Sequence, residues 1–219
     1  MTELRWRRIM LILWGAYGEW VLMPFLAPVL MYLGQSELAG VIYRIYSFFC
    51  HQLPQRSFFL FGTKPMYTLA EIQAAWKPTT DPLVLRQFIG NPIIGWKVAW
   101  SDRMVSFYTS IWVFTALRWF WSPALSKHPN LMSLLFLAPM AVDGFSHLMS
   151  DLSGIDQGFR ANNLWLVVLT DNALPPWFYA GDALGSFNSW MRLFTGLLAG
   201  WGIADLLVRC VRIYRIYKD

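Results

Sequence analysis

Charge is scarce in this chain of 219 residues. Asp, Glu, Lys and Arg make up 14% of it, where a soluble domain carries about a quarter. Hydrophobic residues reach 56% and the mean hydropathy is +0.39, so an ordinary soluble globule is excluded. Cysteine is nearly absent. Cys50 and Cys210 stand far apart with no CxxC or zinc-finger spacing, which excludes a disulfide framework and leaves the redox compartment unread. Histidine is limited to His51, His128 and His147. Glycine-rich phosphate loops, GxSxG elbows and HExxH are missing, and with them the common signatures of nucleotide, esterase and zinc-protease chemistry. No small-residue cleavage site follows the first apolar run, so a removed signal peptide is not expected. The net charge of +5 flanks apolar segments rather than forming a stripe, and nucleic acid is not an expected partner.

What the chain has is aromatic and apolar sequence, including 13 tryptophans, a residue that favours the headgroup interface. The expected fold class is all-α: a polytopic membrane helical bundle with four to six transmembrane segments and a possible re-entrant hairpin. Four runs are long enough to cross a bilayer, which takes about 20 residues. They are Ile9–Leu33, Met104–Trp121, Leu131–Met149 and Asn188–Val208. The first holds Pro24 and Pro28, which would kink it, and a lone acid, Glu19. The last holds Gly196 and Gly200, a small-xxx-small pair that lets helices approach closely.

Arg5, Arg7 and Arg8 at one end, Arg209, Arg212, Arg215 and Lys218 at the other, and Arg118 and Lys127 between them place both termini in the cytoplasm by the positive-inside rule. The expectation is a multi-pass protein of the cell inner (plasma) membrane, with the lipid bilayer as its first partner. Residues 1–36 read as an N-terminal helix, 37–208 as the main domain with an outer loop near 63–100, and 209–219 as a basic tail. Leu38–Gly62 is apolar but carries Arg44, His51, Pro54 and Arg56. A hairpin broken near Pro54 is expected there, because irregular backbone survives at membrane depth only against protein or a wet cavity. Five or six true spans is the alternative. Tyr67–Val98 reads as an outer loop with a short helix, and Leu164–Ala180 as a segment lying along the interface.

Depth can be counted from spacing. Asp143 is twelve residues beyond Leu131, about 18 Å along a helix. Asp143, His147 and Asp151 follow at intervals of four and share a face. Arg103 and Tyr108 on one expected span, and Arg192 on another, fall at the same level. A hairpin carrying Cys50, His51, Gln52 and Arg56 would enter from that side. Ionisable groups at such depth are costly and normally face a partner. One outcome is an ion-pair network that only locks the helices. The other is a polar pocket whose arginines suit a phosphate or carboxylate, with Asp143 and His147 exchanging protons. Cys50 and His51 are adjacent and point about 100° apart on a helix, so Cys50 reads as buried and inert rather than as a nucleophile. Neighbouring arginines would repel a cation, and no metal site is expected; the cofactor is left unknown.

Four short motifs occur in order. They are Cys50-His51-Gln52 with Arg56-Ser57-Phe58; Ser101-Asp102-Arg103 with Tyr108; Pro139 with Asp143-Gly144 and His147; and Arg192 with Thr195-Gly196 and Gly200. On these the chain resembles the small prokaryotic membrane proteins of domain of unknown function 2085, over roughly Tyr43–Ala204. The resemblance implies a helical membrane fold and a residue set but no activity. It also implies a second cysteine where Ser101 stands, a glycine at Ser106 and a glutamine at His147, so any use of paired cysteines is lost here.

Two functions compete. The first is a non-catalytic subunit or assembly factor of a larger membrane complex of respiratory or photosynthetic type, with other membrane subunits as partners. The second is a membrane enzyme or transporter whose outer-leaflet pocket takes an anionic or lipid-linked ligand. The substituted motif positions favour the first, and a role without turnover is the expectation.

Overall fold

The computed structural model describes residues 3–120 and 129–218. The expected basic loop around Lys127 and His128 lies outside them, as do the side chains of the tail from Arg212 onward. The chain is mostly helical, and three helices are long and apolar enough to cross a membrane: Arg5–Tyr32, Leu131–Asp151 and Phe187–Val211. They belong to α1 (Glu3–Tyr32), α6 (Pro129–Asp151) and α10 (Phe187–Lys218).

Three among the described residues is fewer than the four to six expected from sequence. The difference lies in α5 (Asp102–Phe120), which is long enough but carries Asp102, Arg103 and Arg118 along with Ser106, Thr109, Ser110 and Thr115. These polar groups are tolerated because α5 packs against α10, α1 and the sheet described below. Of its large apolar side chains, Val113 and Leu117 are the exposed ones.

The α5–α10 contact is built on small residues. A Cβ on Gly196 would stand 2.9 Å from the Arg103 carbonyl oxygen, and one on Gly200 2.7 Å from that of Phe107. Backbone therefore meets backbone, with Ser106 and Ser110 opposite the glycines. Next to it α6 packs on α10, where Gly202 faces Ser133 and Phe136. At the far end Asp205 pairs with Arg118 of α5 and Arg209 of α10.

Helix α1 ends in a Schellman turn. Gly34 takes φ +77°, and the Gln35 amide bonds the Leu30 carbonyl at 2.8 Å. The chain then reverses into α2 (Ser36–Tyr46), which runs back along α1, so Tyr46 Oη donates to the Trp20 carbonyl at 2.6 Å. Leu38–Gly62 is thus not a single straight helix. After α2 comes a loop, a 3-10 turn at Pro54–Arg56 and the strand β1 (Ser57–Leu60). The second limb is a strand because it finds a pairing edge.

The expected outer loop is more ordered than a loop with one helix. It contains α3 (Leu69–Ala75), α4 (Pro82–Leu85), β2 (Gly90–Asn91) and β3 (Gly95–Ser101). Thr68 and Glu71 form a capping box at the start of α3, and Asp81 caps α4. The sheet is antiparallel with order β1-β3-β2 and pairs Ser57 with Ser101 and Phe59 with Lys97. One core joins α1, α2 and β3 around Tyr43, Tyr46 and Trp100. A second sits under the outer cap around Phe59, Ile72 and Phe88. Beyond α6 the chain makes three short helices, α7 (Phe159–Asn162), α8 (Leu164–Leu169) and α9 (Pro176–Tyr179), before entering α10.

Candidate functional site

A cavity of about 260 Å³ opens where the loop after α2 meets the first turns of α5 and α10 and the last third of α6. Cys50, His51, Gln52, Arg56, Arg103, His147 and Arg192 all line it, together with Ser101 and the apolar Phe48, Phe49, Leu53 and Met104. Tyr108 and Asp143, which the sequence reading placed in the same pocket, do not. Tyr108 belongs to an aromatic cluster with Trp20 and Trp100, its ring 4.9 and 4.7 Å from theirs, because it sits more than a turn along α5 from Arg103. Asp143 is buried behind the wall, held by Arg103 at 2.7 Å and by Arg160.

The cationic wall is carried by four aspartates in a second layer. Arg192 is almost wholly buried, with Nε and Nη2 on Asp102 and Nη1 on Asp182 at 2.6 Å. Arg56 grips Asp151 through Nη1 and Nη2 at 2.7 and 2.8 Å and reaches Asp182 through Nε at 2.7 Å. Arg56 thus reaches the pocket but not Asp143, which Arg103 and Arg160 already occupy. Burial opposes ionisation of the Asp182 carboxyl. The adjacent Arg56 and Arg192 outweigh it and hold that carboxyl well below the usual carboxylate range. Among the described residues, no carboxylate lines the cavity itself.

Not every donor is engaged. Arg56 and Arg192 have all three guanidinium nitrogens bonded, whereas Arg103 spends Nη2 on Asp143 and its buried Nε has no partner. Gly144 makes room for that guanidinium, since a Cβ there would stand 3.0 Å from Arg103 Nη1. His147 Nε2 lies 3.0 Å from Arg160 Nη2. A guanidinium only donates, so Nε2 accepts, the ring is the Nδ1–H tautomer, and that buried Nδ1–H is unpartnered. With Nε2 so used and 3.9 Å from Asp143, direct proton exchange between His147 and Asp143 has no hydrogen bond to run along.

The Cys-His-Gln stretch forms the other wall. Gln52 adopts a left-handed φ of +53°, a conformation stabilised on both sides. Its side-chain amide donates to the Tyr43 carbonyl at 2.9 Å, which also accepts the Ser47 amide, and its own carbonyl accepts from Lys97 Nζ at 2.8 Å. Cys50 Sγ accepts the amides of Gln52 at 3.4 Å and Ser101 at 3.3 Å, and the thiol is largely buried. The position where the resemblance implies a second cysteine is thus beside Cys50. His51 is exposed at the mouth.

Sequence reasoning missed Asp102, Arg160, Asp182 and Lys97. Lys97 is fully buried on β3 between the carbonyls of Gln52 and Arg86, and desolvation pulls its pKa from 10.5 down to about 7. For Arg160 a signal existed: it is the one basic residue between Asp151 and Asp182.

The profile of a family described as predicted membrane protein (DUF2085) matches residues 91–206, just over half of the chain. The chain belongs to that family. The matched range takes in Arg103, Asp143, His147, Arg192, Gly196 and Gly200, while Cys50–Phe58 precedes it. A curated relative, the uncharacterized protein MJ1492 of Methanocaldococcus jannaschii, is 49% identical over 45 residues, covering 18% of this chain and 29% of that protein. No solved structure matches the chain.

Proposed function

We propose that this membrane protein of the DUF2085 family works by binding a small anionic group in the cavity between the Cys-His-Gln loop and the ends of α5, α6 and α10. One observation carries the reading: Arg56, Arg103 and Arg192 line the cavity while the four carboxylates that orient them stand behind it. A network built only to lock helices would gain nothing from keeping one sign of charge on the wetted side. The Arg103 guanidinium, with only Nη2 bonded to Asp143, keeps donor capacity for a further acceptor.

The basic residues of the termini support a multi-pass inner-membrane placement, with α5 crossing beside α10 as a fourth segment, both termini cytoplasmic and the cavity toward the opposite face. The segment 1–36, which carries α1, is then an addition to a family core of 37–208. Thermal unfolding in neutral detergent tests the reading. Inorganic phosphate should raise the melting temperature of the wild type. Arg103→Gln, which leaves Asp143 paired with Arg160 and whose fold circular dichroism verifies, should lose most of that response, about tenfold in apparent affinity for one charge-assisted contact. Equal responses from both proteins would contradict it.

A second reading is a non-catalytic subunit or assembly factor of a larger membrane complex. It is favoured by α6, which packs on α10 and leaves Leu131, Leu134, Leu135, Val142, Phe145 and Leu148 exposed. Migration of gently solubilised protein in a stable larger assembly would support it, and migration alone would count against it.

A further inference from the structure

We propose that the occupant of this cavity is the headgroup of an anionic phospholipid, with its acyl chains laid along α2. The inference rests on the anion-binding reading above and names the class of ligand. Two independent observations carry it.

The first is an apolar rail leading to the cavity mouth. Helix α2 buries Ala39, Ile42, Tyr43 and Tyr46 against α1 and β3. A flanking face of the same helix presents Leu38, Val41 and Ile45, exposed at 57, 45 and 50%. These positions, three and four apart, form one stripe about 10 Å long. The stripe runs on to Phe48, 87% exposed, which with Phe49 lines the cavity itself. A free inorganic anion would have no use for this apolar approach, whereas an amphiphile matches both the arginines and the rail.

The second is depth. The ionic cluster of Arg118, Asp205 and Arg209 closes the far end of the bundle. From Arg118 to Arg103 along α5 is fifteen residues, and from Arg209 to Arg192 along α10 seventeen. At 1.5 Å per residue the two arginines of the cavity stand roughly 22–26 Å from that cluster. The hydrocarbon core of a bilayer is about 30 Å thick. With the far cluster at one edge of the hydrocarbon core, the cavity arginines lie within about 8 Å of the opposite edge, beside the first methylenes and just below the lipid phosphates. A phosphate tethered to a glycerol backbone is held at high local concentration directly above the cavity mouth.

The test uses the full chain in nanodiscs and in neutral detergent. Native mass spectrometry should show one phosphatidylglycerol retained per chain in preference to phosphatidylcholine. Arg103→Gln should reduce that retention at least tenfold. A triple variant, Leu38→Ser, Val41→Ser and Ile45→Ser, should also lose the retained lipid while keeping the thermal response to inorganic phosphate. All three side chains are exposed and lie outside the cavity lining, and circular dichroism verifies the fold; Ile45→Ser alone serves should the triple variant unfold. Retained phosphate response with no phosphatidylglycerol preference in the wild type, or a preference untouched by the stripe variants, would overturn the lipid assignment and leave a soluble anion as occupant. Absence of any response to phosphate or to phosphatidylglycerol would overturn the anion-binding reading as well.

Discussion

Gln52 shows how much local conformation at this site depends on single hydrogen bonds. Its positive φ is held by Tyr43 on one side and Lys97 on the other. That makes Lys97 a positioning residue for the pocket wall, and it gives a pH signature. The folded pKa of about 7 lies below the ordinary 10.5. Below pH 7 folded and unfolded chains both hold the proton, and the cost of burying the ammonium is fully present. Between the two values the unfolded chain binds a proton that the folded chain lacks, so stability rises with pH, by at most about 1.4 kcal/mol per unit. Thermal unfolding from pH 7 upward should show this rise in the wild type and not in Lys97→Met. A parallel pH dependence in both proteins would remove Lys97 from the account.

At the scale of elements, the α5–α10 pair sets the distance between Arg103 and Arg192. Replacing Gly200 by Leu puts side-chain volume where the Phe107 carbonyl is 2.7 Å from a Cβ. Overpacking of this kind costs about 1–3 kcal/mol. The expected result is a lower melting temperature and a weakened anion response, because the two arginines move apart. Gly15→Ala, where nothing lies within 4 Å of an added Cβ, should leave the anion response unchanged and not lower the melting temperature, since alanine favours the helix. If Gly200→Leu also leaves both unchanged, the close helix contact is not what positions the site.

The elements also show what the sequence could reveal. Long apolar runs marked α1, α6 and α10, since a bilayer demands about 20 such residues in a row. Helical spacing put Arg103, His147 and Arg192 at one depth, because 1.5 Å per residue turns residue counts into height. The sheet was not legible. β3 reads GWKVAWS, an apolar run with a lysine at its centre, and only pairing with β1 and two backbone carbonyls accommodates that lysine. Nor were the carboxylate partners. Asp102 and Asp182 are eighty residues apart and meet only through Arg192, a link that periodicity within one helix cannot express.

In the whole molecule, two ionic layers bracket the apolar bundle: Arg118, Asp205 and Arg209 at one end, and six arginine–aspartate ion pairs around the cavity at the other. The second layer opens to a cavity. The central claim is that this second layer exists to receive an anionic group. A high-resolution structure of the protein in nanodiscs containing phosphatidylglycerol tests it most directly. The account predicts phosphate density in the cavity, within hydrogen-bond reach of the Arg103 guanidinium. A cavity filled by water alone, with the arginines in the same pairings, would contradict it.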